Sequence, residues 1–207
     1  AITVGALNSN DDSVTSFTSF GPSDDGRIRP VIAAPGCQSG GDGGVTSLDN
    51  DSDTDYTSLC GTSMASPTAA GVGALIFEDF RATFPAMGDP SNQLMKVFLV
   101  HTAVDLFNPG PDNQTGYGSI RAIDAIEFMR TGNWEEGVVL DGGVTTYSVD
   151  VQPGDPELKI TLAWDDAPGT PNVSPALVND LDLVVIDPSG NRHYPWTIPL
   201  GSPGSPA

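Results

Sequence analysis

The chain has 207 residues, 38% of them hydrophobic, with 24 Gly and 18 Pro, a composition that favours a loop-rich globular protein over a helical bundle. Eight basic residues stand against 27 acidic ones, for a net charge of −19, which excludes nucleic acid as a partner because phosphate contacts need clustered Lys and Arg. No apolar run reaches the length of a membrane span.

The chain opens on Ala1 and a strand-like run, Ile2 to Ala6, without an initiator Met or a basic leader, and it closes on a linker-like stretch from Gly201 to Ala207. These ends are read as those of an excerpt from a longer chain. Residues 8–30 form a polar loop with turn signals at Gly21-Pro22 and Asp25-Gly26. A short strand follows at Val31–Ala34, stopped by Pro35-Gly36. Residues 44–48 and 55–60 pair as a hairpin around an acidic tip running from Asp49 to Tyr56. Cys37 and Cys60 fall at the open end of that hairpin, close enough for a disulfide, with two small buried hydrophobes as the alternative.

The most apolar stretch runs from Met64 to Phe80 and reads as a helix buried on all sides, hence a central core helix. Further helices are expected over about 91–104 and 121–130, where apolar residues recur at helical spacing. From about residue 133 the period changes from 3.6 to 2. Strands are expected at 147–151, 158–164 and 181–186, separated by Pro/Gly turns, as in an antiparallel sandwich. The division therefore falls into residues 1–132 and 133–207.

The chemistry concentrates in Gly61-Thr62-Ser63-Met64-Ala65-Ser66-Pro67. Ser63 sits where a strand-like segment meets a helix, so its backbone N–H lies at the positive end of the helix dipole and suits a developing oxyanion. Gly61 leaves room for a substrate backbone, and Pro67 is placed in the tolerant first turn. A bare Ser before a helix is more often an ordinary cap. The full seven-residue string, however, is similar to the nucleophile signature of the subtilisin-like serine proteases.

Other segments resemble that family in order and spacing: Ile2 to Ala6, Ser16 to Pro22, Asp25 to Pro30 and Ala34 to Gly36. Leu158 to Pro168 and Leu177 to Val185 resemble the C-terminal jelly-roll of its alkaline branch. Val31 stands where that pattern usually has Asp, and Thr68 where His often follows the Pro. The resemblance implies an α/β protein: the C-terminal half of a three-layer α/β/α catalytic domain, followed by a partial all-β jelly-roll sandwich.

It also implies a secreted, monomeric endopeptidase acting on proteins or peptides through an acyl-enzyme on Ser63. The oxyanion would be held by the Ser63 N–H, with Gly61 and Thr62 flanking it. No cofactor takes part in the chemistry. Met64 would line the leaving-group side and be sensitive to oxidation, or else simply pack in the core.

Triad order in the family runs Asp, His, Ser. The only two histidines, His101 and His193, both follow Ser63, so the triad Asp and His and the oxyanion Asn are expected upstream, and the isolated fragment is expected to be inactive. Asp165, Asp166, Asn179, Asp180 and Asp182 are candidate ligands for a structural calcium, or else an acidic strand edge. A non-catalytic relative whose acidic sandwich binds calcium or a partner is the alternative function. A lipase-type hydrolase is excluded, because its elbow needs Gly where Ala65 stands.

Overall fold

The computed structural model describes residues 1–198 apart from 42, 108, 171, 172 and 174–176. The linker-like reading of Gly201 to Ala207 lies outside the described residues. Strand β1 (Val4–Asn8) pairs in parallel with β2 (Ile32–Cys37). The register runs Leu7↔Pro35 and then Asn8↔Cys37, so Gly36 is an extra residue in a bulge. This explains why β2 continues through Pro35-Gly36 instead of stopping there: both residue types are tolerated at a bulge.

Both flanks of this pair are occupied. On one side, the N–H of Ala6 donates to Thr18 Oγ1 at 3.0 Å, and its carbonyl accepts from Thr15 Oγ1 at 3.0 Å. On the other, Ala33 N donates to Gly118 O at 2.9 Å and Ile120 N to Ala33 O at 3.0 Å. A turn shaped by buried Asp112 feeds this edge, with Asp112 Oδ1 accepting from Thr115 N at 2.7 Å.

The hairpin is formed by β3 (Val45–Leu48) and β4 (Tyr56–Leu59), antiparallel, with Val45 opposite Leu59 and Leu48 opposite Tyr56. Helix α1 (Thr62–Thr83) packs on β1 and β2, followed by α2 (Asn92–His101) and α3 (Ala122–Thr131). Ser91 caps α2 by accepting the Leu94 N–H at 3.2 Å, and Gly132 ends α3 in the left-handed conformation at φ 70°.

Helix α1 departs from the all-round burial expected of it. Ala65, Ala69, Ile76 and Phe80 are buried, whereas Ala70, Gly71 and Ala74 are exposed and Leu75 is 51% exposed. The described chain covers one face of the helix, with the β1–β2 sheet and α3, and leaves the other open. The core beneath that face is aromatic. Phe80 meets Phe84, Phe98 and Trp134 with ring centroids 5.2, 6.3 and 5.7 Å apart. Trp134 lies just past the expected division at 132 yet packs into this core, its Nε1 donating to Met129 O at 2.8 Å.

Beyond Trp134 the described chain forms one short hairpin, β5 (Val185–Ile186) with β6 (Arg192–His193). The expected strands at 147–151 and 158–164 carry no ladder, and Val138, Val144, Tyr147 and Val149 are exposed. A strand exists only with a neighbour to take its N–H and C=O groups, and alternation alone does not supply one. Likewise, the described residues form a small parallel sheet with helices rather than three full layers.

Candidate active site

Three elements meet at Ser63. Strand β4 delivers the chain to Cys60, the structure joins Cys60 to Cys37 at the end of β2, and α1 begins at Thr62. The Cα atoms of the two cysteines are 4.5 Å apart, so the segment before the helix is tied to the sheet's C-terminal end. Gly61 N donates to Gly36 O at 2.9 Å, a second tie across the same junction. A Cβ on Gly36 would lie 2.7 Å from Gly61 O and 2.8 Å from Ala6 Cβ, so only glycine lets β2 approach this closely. Gly36 is the supporting residue that sequence reasoning passed over, because Pro-Gly reads as a strand stop.

Gly61 is the N-cap of α1, in extended conformation, and no side chain caps the helix. Its carbonyl accepts from Met64 N at 3.0 Å and Ala65 N at 3.3 Å. The N–H groups of Thr62 and Ser63 therefore precede the first intrahelical bonds, as orphan donors at the positive end of a 22-residue helix. Ser63, the second helical residue, is exposed, and its hydroxyl makes no hydrogen bond among the described residues. The capping role that usually explains a Ser at this place is not the one it plays.

Pro67 is the sixth helical residue, past the first turn where the sequence placed it. Lacking an N–H, it leaves the Ser63 carbonyl without its i+4 donor. Thr68 turns back on the helix, donating to Met64 O at 2.9 Å. Met64 is half-buried, with its sulfur near Gly61. A Cβ on Gly61 would meet nothing nearer than 3.6 Å, so the fold itself does not demand glycine there.

Neither histidine is placed as a partner of Ser63. His101 ends α2, stacks on Phe128 with centroids 4.2 Å apart, and shares a hydrogen bond with Thr161 Oγ1 at 3.0 Å. His193 lies in β6, 3.3 Å from Asp187. That carboxyl is held down to about 2, chiefly by the Asn191 side chain and backbone N–H donors.

Among the described residues, Asp166 and Asn179 meet, but the five candidate calcium ligands do not form one oxygen-lined site. Asp165 accepts from Lys96 Nζ at 2.7 Å. Asp166 takes the N–H groups of Ala167, Val178 and Asn179 and the Asn179 side-chain amide, and these donors hold its carboxyl below the usual range. Asp180 and Asp182 are exposed, and no group of three metal-competent side chains occurs among the described residues. The Asp165 and Asp166 carboxylates, engaged by an ammonium and by N–H donors, are not arranged here for calcium.

The start of α1 thus sets an unengaged serine hydroxyl beside orphan N–H donors, a place where a developing anion is favoured. The Subtilase family model matches residues 1–118, and the chain belongs to that family. It is 32% identical over 137 residues to the serine protease AprX of Bacillus subtilis (strain 168), a match covering 60% of this chain and 29% of AprX. It is 33% identical over 116 residues to the C5a peptidase of Streptococcus pyogenes, covering 53% of this chain and 9% of that protein.

Among solved structures, the CspB protease of Clostridium perfringens superposes with a TM-score of 0.51 at 23% identity, over 65% of this chain and 27% of that one. A lanthipeptide protease gives a TM-score of 0.50 at 26% identity, over 62% and 41%. The chain thus spans less than a third of AprX and of CspB. No helix among the described residues is long and apolar enough to cross a membrane.

Proposed function

We propose that this chain carries the nucleophile half of a serine endopeptidase whose acid, base and oxyanion Asn come from outside these 207 residues. The observation that carries the reading is the exposed, unbonded Ser63 at the start of α1, with helix capping left to Gly61. In the assembled site, an imidazole takes the Ser63 hydroxyl proton as the oxygen bonds to a peptide carbonyl carbon. The Ser63 N–H and the Asn hold the oxyanion. The C–N bond then breaks, the amine leaves with that proton, and water hydrolyses the Ser63 ester.

Gly61 keeps the approach open: the fold does not need it, whereas a substrate backbone beside Ser63 would. Met64 sits on the leaving-group side. The substrates are proteins or peptides, and the enzyme acts extracellularly as a monomer, a setting in which a Cys37–Cys60 disulfide persists.

The test compares the longer protein, its Ser63→Ala variant and the 207-residue chain in a casein assay with a serine-directed fluorophosphonate probe. The longer protein should turn over and take the label. Ser63→Ala should lose about 10⁶-fold in kcat and the label with it. The 207-residue chain should do neither. Turnover retained in Ser63→Ala sinks the assignment. A longer protein that folds but neither cleaves nor labels is a non-catalytic relative.

A further inference from the structure

Residues 158–166 have no strand partner among the described residues, and hydrogen bonds from α2 side chains tie them to that helix. Lys96 Nζ donates to Trp164 O at 3.2 Å and to Asp165 Oδ1 at 2.7 Å. Five residues on, at the end of the same helix, the His101 ring is bonded through Nδ1 to Thr161 Oγ1 and stacked on Phe128 of α3. The ring is half-buried between an aromatic face and residues 158–166.

We propose that His101 is a pH-sensitive clasp that fastens residues 158–166 to helices α2 and α3 when its imidazole is neutral and loosens them when it is protonated.

The charged surroundings set the sign. From residues 158–166 the cation is Lys159, and Thr161 is neutral. From α3 the packed group is Phe128, flanked by Glu127 and by Arg130, which is engaged with Asp79. From α2 itself the charge is Lys96, taken up by Asp165. From the loop after α2, Asp105 accepts from Gly110 N at 2.7 Å. Burial first, and Lys159 second, push the imidazole below its ordinary 6.5.

A base whose docked pKa is lowered disfavours the charged form in the docked state. Docking is therefore strongest above about 6.5, the undocked value, and weakens as pH falls from there towards the docked value. The Lys96–Asp165 tie does not follow, because the Lys96 hydrogen bond holds the Asp165 carboxyl below its usual range. Asp105 is the one other group to separate, since burial pushes its carboxyl up.

The experiment is hydroxyl-radical footprinting of the intact protein between pH 7.5 and 5, with side-chain protection corrected for intrinsic reactivity. Protection across 158–166 should fall several-fold on acidification. His101→Gln, uncharged throughout, should flatten that response, and Lys159→Gln should make it shallower. His193→Gln should leave it unchanged. Unaltered protection down to pH 5, or an equal loss in His101→Gln, overturns the proposal. A response abolished only by Asp105→Asn also overturns it and assigns the switch to that carboxyl.

Discussion

Ser63 and Met64 show how little separates a structural residue from a chemical one. Both lie in the first turn of α1, yet the hydroxyl is exposed and unbonded while the thioether is half-buried against Gly61. Oxidation would turn that flexible apolar sulfur into a polar sulfoxide beside the nucleophile. In the active longer protein, peroxide should lower activity in proportion to Met64 sulfoxide measured by peptide mass spectrometry, and Met64→Leu should resist it. Full oxidation of Met64 with undiminished activity would falsify the leaving-group assignment. The proposed chemistry of both residues rests on seven consecutive letters, Gly61 to Pro67. The opposite holds for Gly36, whose role depends on Gly61 and Ala6, residues 25 and 30 positions away in sequence, coming within about 3 Å of where a Cβ would stand.

At the scale of elements, the junction before α1 depends on the β3–β4 hairpin and its clamp. Cys37 and Cys60 close a loop of 23 positions, and a cross-link of that length contributes about 3 kcal/mol through the entropy of the unfolded chain. Replacing both by Ala should lower the unfolding free energy by about that amount in denaturant melts, without changing the α1 signal in circular dichroism. Two free thiols found by alkylation of protein purified without reductant would remove the clamp from the account.

Element identity was readable where periodicity is strong. Helices expected over about 91–104 and 121–130 form at Asn92–His101 and Ala122–Thr131. The strands expected after residue 133 were read from alternation, and alternation records which face could be buried, not whether a neighbouring strand is present. Hence 147–151 and 158–164 carry no ladder in the described chain, and only Val185–Ile186 of the third expected strand is paired.

For the molecule as a whole, one aromatic core holds the pieces together. Phe80 is fully buried at the meeting of α1, α2 and the segment after α3. Phe80→Ala should cost about 3–5 kcal/mol, measured by urea unfolding, because the ring's contacts on three sides cannot all collapse into the space left. A loss under about 1 kcal/mol would mean that the core repacks freely around the site. Trp134, just past α3, belongs to the same cluster, and the His101 clasp extends that packing to residues 158–166.

The sequence by itself determined the family and the helices, because these depend on short-range spacing and on side chains whose chemistry is local. Only the tertiary structure decided the rest. It left one face of an apolar helix open, carried β2 through Pro35-Gly36 by a bulge, and engaged Asp165 with Lys96 and Asp166 with backbone N–H donors. It also set His101 in the seam between Phe128 and Thr161. Each of these outcomes turns on which distant residue arrives as a neighbour, and a residue's own spacing in the chain does not encode that.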